Sequence, residues 1–449
     1  MTKEMPLKTP IKTGNCDVLV IGGGPGGSTV ATLLAEQGYH VTVAEKSHHP
    51  RFHVGESLLP ANLPLFERLG VGEAVRSIGI EKWGAEFVSP WHEKGSQTFQ
   101  FADAWNKTIP YAYQVLRSDL DTILFQNAAK KGATTLEGCR VRDITFLPEG
   151  EGALVHAEHD DGSQEDFRTR FVVDASGRDT FLGNRFRDKT RNPRHNSSAL
   201  YAHFRGAKRG EGRAEGNISI FWFDHGWFWF IPLANGLTSI GAVMWPYFLK
   251  ARDKPVEAFF RDTLALCPAL MERLKEAELV SVVEATGNFS YNCGRSSGPG
   301  YLLLGDAFAF IDPVFSSGVM LAMNGAFLAA EAIATCLSTP EKAGAALRHY
   351  DRKLRHGPKE FSWFIYRINH PSMRDLFMEP SNVFRVKEAL LSMLAGDIFG
   401  DTPIWRSIAT FKVLYYMHLL RNPRRSFKAW RKRRHQVYVA EELPVSVGP

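Results

Sequence analysis

Residues 17–45 constrain this chain more than any other stretch. Asp17-Val-Leu-Val-Ile21 is a short, apolar, β-branched run of the kind that forms a strand buried on both faces. It passes directly into Gly22-Gly-Gly-Pro-Gly-Gly27, then into a helical pattern over Ser28 to Gly38 and a second strand, His40 to Ala44, closed by Glu45. Strand, glycine turn, helix and strand within about thirty residues, with an acid about twenty residues past the glycines, is the pattern of a dinucleotide-binding βαβ unit. Gly22, Gly24 and Gly27 let the backbone approach a pyrophosphate, the helix N-terminus offers free N–H groups, and Glu45 can accept from ribose hydroxyls. The expected fold class is α/β, with a doubly wound, Rossmann-like domain.

A chain of 449 residues has room for about three such units at roughly 150 residues each. With 44% hydrophobic and 23% charged residues, collagen-like, disordered and disulfide-scaffold classes are excluded. Cys16, Cys139, Cys267, Cys293 and Cys336 are odd in number and form no CxxC, which points to a reducing, cytoplasmic setting and against a metal centre. The adjacent His48 and His49 are expected to point apart on a loop rather than to share a metal. Met1 to Gly14 has no apolar core of a secretory signal. Gly318 to Leu337 is apolar but interrupted by Asn324 and Glu331, so a buried helix is expected and no transmembrane segment. Net charge is +6, yet Arg421 to His435 alone carries eight Lys or Arg and no acid, which leaves the rest of the chain at −2.

NAD and FAD both fit the fingerprint, and the later segments distinguish them. Arg117-Ser-Asp-Leu-Asp121 opens a helix to about Lys131, Phe171 to Gly177 is a strand ending in Asp-Ala-Ser-Gly, and Tyr301 to Asp306 is another ending in Gly-Asp. Fingerprint, R-x-x-L-D helix, DG-like motif and GD motif in this order resemble the FAD-dependent aromatic monooxygenase superfamily over residues 15 to 345. The resemblance implies that Arg117 and Asp306 contact the phosphates and ribityl hydroxyls of FAD. With the strap Pro50 to Ser57 and the loop before Gly318, it places Gly22, Gly24, Pro25, Gly26, Gly27, Glu45, Lys46, Arg51, Ser57, Arg117, Asp306, Pro313 and Gly318 at the cofactor.

Trp227-Phe-Trp-Phe-Ile-Pro232 fits W-x-W-x-I-P, which resembles the signature of flavin-dependent halogenases. On a strand the two indoles share a face, and such a wall would keep substrate from the flavin while passing a small oxidant. Taken alone, the run reads as two core tryptophans in an aromatic strand. Lys82, 26 residues after Glu56, resembles the essential lysine of phenol- and pyrrole-type halogenases; at random, a lysine is a surface residue. As an ammonium it would polarise hypohalous acid, and as an amine it would become a haloamine. Phe310 to Gly318 resembles the halide loop, with Ser316, Ser317 and Gly318 as its ligands; a plain capping turn would have the same composition. Phe315 stands where tryptophan halogenases carry a glutamate, and it joins Trp227, Trp229 and Pro232 in the expected barrier between flavin and substrate.

The resemblance implies FADH2, O2 and chloride or bromide as reactants, and an electron-rich phenol or pyrrole, free or tethered to a carrier protein, as substrate. No second complete glycine fingerprint is visible, so a separate flavin reductase is the expected partner. An FAD hydroxylase or flavin-linked reductase, and a flavin-binding scaffold, are the alternatives. The expected organisation is an FAD domain from 1–80, 105–185 and 286–345, a substrate-side antiparallel sheet from 81–104 and 186–285, and a helical cap with its basic tail over 346–449. The tail reads as a solvated cationic helix, a dock for an acidic partner or a membrane-surface anchor; no nucleic-acid reader motif accompanies it.

Overall fold

The computed structural model describes residues 12–438 except 193, 194, 196, 288 and 289. Residues 1–11 and 439–449, which close the expected first and last segments, lie outside the described residues. The fingerprint strand runs Lys12–Ile21 and the helix after it Pro25–Glu36, starting on a proline whose missing N–H costs nothing at that position. Four other strands lie parallel with it in the order Tyr301–Leu303, Gln164–Asp174, Lys12–Ile21, Val41–Ala44, Thr134–Leu136. Val18, Leu19 and Val20 are fully buried in the middle of this sheet. An antiparallel hairpin, Cys139–Phe146 with Ala153–His159, extends it beside Gln164–Asp174.

A second sheet is built on the consecutive strands Ser198–Arg205, Ile218–Phe223, Gly226–Pro232 and Leu237–Met244. The turns at Asp224-His225 and Ala234-Asn-Gly236 make the expected hairpins. One pairing differs from the expected antiparallel arrangement. Gly84–Val88 joins Ile218–Phe223 in parallel and pairs with Ser96–Gln100 on its other side. A distant segment can enter a sheet in either direction, whereas short hairpin turns enforce antiparallel neighbours. Two residues before Gly84, the strand Ile80–Lys82 pairs instead with Ala112–Gln114 in a separate ribbon. Lys82 therefore sits where this ribbon passes into the second sheet.

The 21-residue helix Gly318–Ser338 reaches a mean hydropathy of 1.6 over 18 residues, long and apolar enough by composition to cross a membrane. Here Val319, Met323, Ala326 and Ile333 are buried in the core of the first sheet, while Met320 is buried in the core below the second. The C-terminal helices Ala343–Ile365, Pro371–Met378, Val386–Leu394 and Trp405–Arg421 close that second core through Phe361, Phe377, Leu390 and Phe411. The basic tail is helical over Pro423–Tyr438. Pro371 and Pro423 each begin a helix, as expected of prolines at breaks.

Candidate functional site

The glycine turn opens a groove of about 590 Å³ along the C-terminal ends of the parallel strands. Gly22 has φ +102°, and a Cβ there would lie 2.5 Å from the Ala175 carbonyl oxygen. Gly27 touches the Gly22 carbonyl so closely that a Cβ would lie 2.0 Å from it, which locks helix to turn. Gly24 differs. Its Cβ direction meets only Arg51, at 3.8 Å, so the space beyond it is open to a ligand. Glu45 is buried at the end of its strand and accepts from the Gly23 N–H at 2.7 Å and the Ser47 N–H at 2.9 Å.

Arg51 and Arg117 converge on the buried Asp121. Arg117 donates from Nε at 2.9 Å and from Nη2 at 3.0 Å, and Arg51 from Nη1 at 3.3 Å. Arg117 also donates to the Val54 carbonyl at 3.0 Å, which fastens the 51–57 strap over the groove. Arg51 Nε is buried without a hydrogen-bond partner among the described residues. An open cradle at Gly24 and an orphaned guanidinium N–H beside it fit the pyrophosphate of FAD. Asp306, on the turn Gly305–Ala307, lines the same groove. Burial raises its carboxyl to about 6, against the pull of Arg178 and Arg117.

His53, Arg117, Arg178, Asp306, Gly318 and Val319 line both this groove and an inner cavity of about 110 Å³, so the two spaces are continuous. Trp227, Trp229 and Ile231 form one wall of the inner cavity. Alternation along the strand puts these three on one face, and the two indoles stand 6.1 Å apart. Trp229 lies over Gly241, where a Cβ would be 2.2 Å from its ring, and its Nε1 donates to Ser239 Oγ at 3.1 Å. Glu56 and Ser57 line the same cavity.

Behind Ser57 is Lys82, only 1% exposed. Its Nζ donates to Ser57 Oγ at 3.0 Å and to the Leu58 carbonyl at 2.9 Å, and it stands 5.3 Å from the centre of the Phe101 ring. Both partners are neutral, so nothing offsets the loss of hydration. Burial pushes its pKa down to about 7.

The Phe310 to Gly318 loop ends in a short turn, Pro313–Phe315, capped by Asp312, which accepts from the Val314 N–H at 3.3 Å. Ser316 follows with φ +58°, and Ser317, with no side-chain cap bond, precedes the long helix whose first N–H groups, from Gly318, have no partner within the helix. Pro313, Ser316 and Gly318 reach the inner cavity; Ser317 is buried behind them.

Comparison with known proteins agrees with this geometry. The FAD binding domain family matches residues 15–359. A 1H-pyrrole-2-carbonyl-[peptidyl-carrier protein] chlorinase of Pseudomonas fluorescens is 31% identical over 409 residues, 86% of this chain and 90% of that protein. The chain belongs to the flavin-dependent halogenases. A tryptophan 2-halogenase of Chondromyces crocatus is 34% identical over 340 residues, 75% of this chain, and the chain spans 64% of that relative's length. The myxobacterial chondrochloren halogenase CndH superposes with a TM-score of 0.75 at 32% identity, over 90% of this chain and 97% of that one. A flavoprotein/dehydrogenase from Cytophaga hutchinsonii superposes with a TM-score of 0.81 at 28% identity, over 90% and 99%.

Within this halogenase fold, Gly22, Gly24, Pro25, Gly26, Glu45, Lys46, Arg51, Arg117, Asp306 and Gly318 line the groove, and Lys46 is ion-paired with Asp179 at its rim. Gly27 acts beneath the groove rather than in it. Ser57 faces the inner cavity and Lys82, not the groove. The expected barrier changes in two places. Phe315 lies in the core below, face to face with Phe377 at 6.4 Å and near Phe361, because the 371–378 and 343–365 helices offer it a closed apolar site. Pro232 is one residue past Ile231 on the strand, so the pleat turns it away and Ile231 takes the place. His48 and His49 each hydrogen-bond a separate carboxylate, Asp160 and Glu137.

Two participants are not foreseen from sequence. Arg178 lines both spaces and lies over the Phe310 ring at 5.2 Å. It follows Asp174, whose buried carboxylate accepts from the Ser176 and Leu182 N–H groups and so shapes the loop. His203 Nε2 lies 2.7 Å from Glu56 Oε1. Burial works against its charge, and Glu56 outweighs burial, so its pKa is raised. Position 178 directly after the DG-like motif was a usable signal; a pair separated by 147 positions was not.

Proposed function

We propose that this halogenase acts on an electron-rich phenol or pyrrole, free or carrier-tethered, with Lys82 as the residue that transfers the halogen. The single observation that carries the reading is a buried lysine one hydrogen bond behind the wall of the indole-lined cavity, without a carboxylate partner among the described residues. Bound in the groove, reduced FAD supplies with O2 and halide the oxidising power that yields hypohalous acid. Gly318 lies where the groove meets the inner cavity, Ser316 lines that cavity beside it, and these are the residues to hold the halide. The paired indoles and Ile231 narrow the cavity to a space for small species and exclude the aromatic substrate from the groove.

Two hydrogen bonds, to Ser57 and Leu58, use both N–H groups of a neutral Lys82 amine and leave its lone pair unengaged. With a pKa near 7, the amine form is well populated at physiological pH. The lone pair attacks the halogen of hypohalous acid; an N–halogen bond forms, the O–halogen bond breaks and water leaves. The aromatic carbon then takes the halogen, its proton departs, and the amine is restored. Phenols and pyrroles suit this step because their rings are electron-rich enough to take the halogen without help from a carboxylate base. A separate flavin reductase delivers reduced flavin, in a cytoplasm that keeps the five thiols free.

The test supplies chemically reduced FAD, air and bromide to the purified protein with a phenol, a free pyrrole and a carrier-bound pyrrole, and reads product mass. Brominated product from any of them, lost in Lys82→Ala while flavin oxidation continues, is expected. Hydroxylated product independent of bromide assigns the chain to hydroxylation instead, and halogenation that survives Lys82→Ala removes the lysine from the chemistry.

A further inference from the structure

The helices Trp405–Arg421 and Pro423–Tyr438 carry a surface that the halogenation chemistry does not use. The tail helix is fastened to the body on one side. Arg425 is paired with Asp375, Lys432 with Asp224 at 3.3 Å, and Arg433 donates to the Tyr366 carbonyl. At about 3.6 residues per turn, Arg425, Ala429, Lys432 and Arg433 share that side, and Arg424, Phe427, Trp430, Arg431 and Arg434 fall on the opposite one. All five of the latter are exposed, and Lys428 is exposed at their edge.

This outward side combines two materials that water treats oppositely. Phe427 and Trp430 stack on each other at 5.7 Å and still stay 62% and 52% exposed. The preceding helix adds to the apolar surface. Its Val413, Met417 and Leu420 recur at helical spacing and are exposed, Leu420 by 79%, and Asn422 alone separates the two helices. Around the rings stand Arg421, Arg424, Lys428 and Arg431, which are exposed and form no ion pair among the described residues. The carboxylates that these helices engage are matched by other cations: Asp375 by Arg425 and His418, Asp224 by Lys432, and Glu360 by Lys412. The sequence from 402 to 440 holds no acid of its own.

We infer that this face docks on an anionic phospholipid surface, with Phe427 and Trp430 among the headgroups and the unpaired cations at the phosphates. Other occupants fit less of it. A second copy would set the same unmatched cations against one another. A folded protein surface mixes hydrogen-bond donors and acceptors, whereas the outward side chains of the tail helix offer donors only. A laterally fluid bilayer asks only for positive charge beside apolar rings, as an interfacial helix presents them.

The test is flotation of the full-length, FAD-loaded protein with vesicles of phosphatidylcholine, alone or mixed with phosphatidylglycerol. Binding about tenfold or more tighter to the anionic vesicles is expected, weakening as salt is raised. The double variants Arg424→Gln/Arg431→Gln and Phe427→Ser/Trp430→Ser should each lower that affinity by about tenfold. Their thermal unfolding should match the parent, because all four side chains are exposed. Equal affinity for neutral and anionic vesicles, no binding to either, or binding indifferent to either double variant overturns the inference. Self-association that both variants abolish also overturns it. So does an acidic carrier protein that binds the parent, is lost from both variants and is not displaced by anionic vesicles; the face then belongs to a protein partner.

Discussion

The cofactor groove and the inner cavity touch, yet they are made of opposite materials. The groove is built from backbone: Gly22 and Gly27 are tolerated only as glycine, and Gly24 leaves space rather than filling it. The inner cavity is built from side chains of distant segments, 53–57, Arg117, Arg178, 218–231, 306–319 and, one layer back, Lys82. A backbone site is specified by a local run of small residues and tolerates change poorly. A side-chain site is assembled by packing, so its members can be exchanged one at a time and its chemistry altered without loss of the cofactor.

The strongest way to break this contrast is Lys82→Met. Halogenated product should fall by about 10³-fold, while FAD binding measured by flavin fluorescence and the rate of flavin reoxidation stay unchanged. A parallel loss of FAD would mean that the two sites are one. Next, Gly24→Val and Gly27→Ala should part company. Valine at 24 fills the open cradle and should weaken FAD by about 100-fold at nearly native thermal stability. Alanine at 27 collides with the Gly22 carbonyl and should cost about 2 kcal/mol or more of folding free energy in chemical denaturation.

A pH experiment sharpens the comparison further. Halogenation should rise through about pH 7 as Lys82 loses its proton, and the inflection should move to lower pH in Ser57→Ala, where one acceptor for the ammonium is gone. Between about 7 and 10.5 the folded chain binds fewer protons at this site than the unfolded chain, so stability should increase with pH across that window, and Lys82→Met should flatten the slope. The smallest effect is expected at the indole wall. Trp229→Phe loses the bond to Ser239 and leaves a void, and should release a few-fold more hypohalous acid to a soluble trap.

What the sequence carried follows the same division. The fingerprint, the Arg117 helix and the Gly305-Asp306 turn are local patterns, and the groove they line is where local pattern places it. Trp227 and Trp229 were legible through strand alternation, and the same rule carried two residues further names Ile231; motif matching named Pro232 instead. Phe315 is in the right loop, but its side chain answers to Phe377, on a helix that no local pattern connects to it. The parallel entry of Gly84–Val88 into the second sheet, and the Glu56–His203 pair, are long-range events that a single sequence does not encode in any short window.

Gly241 has a consequence for the order of events in turnover. The Trp229 indole packs against that bare stretch of sheet and is tethered at its nitrogen, which holds it in place. In the proposed reading, a partition held in this way acts as a fixed sieve and not as a door. Organic substrate must then arrive by an approach independent of the one used by the flavin, neither ligand waits for the other, and steady-state kinetics should be those of random-order binding.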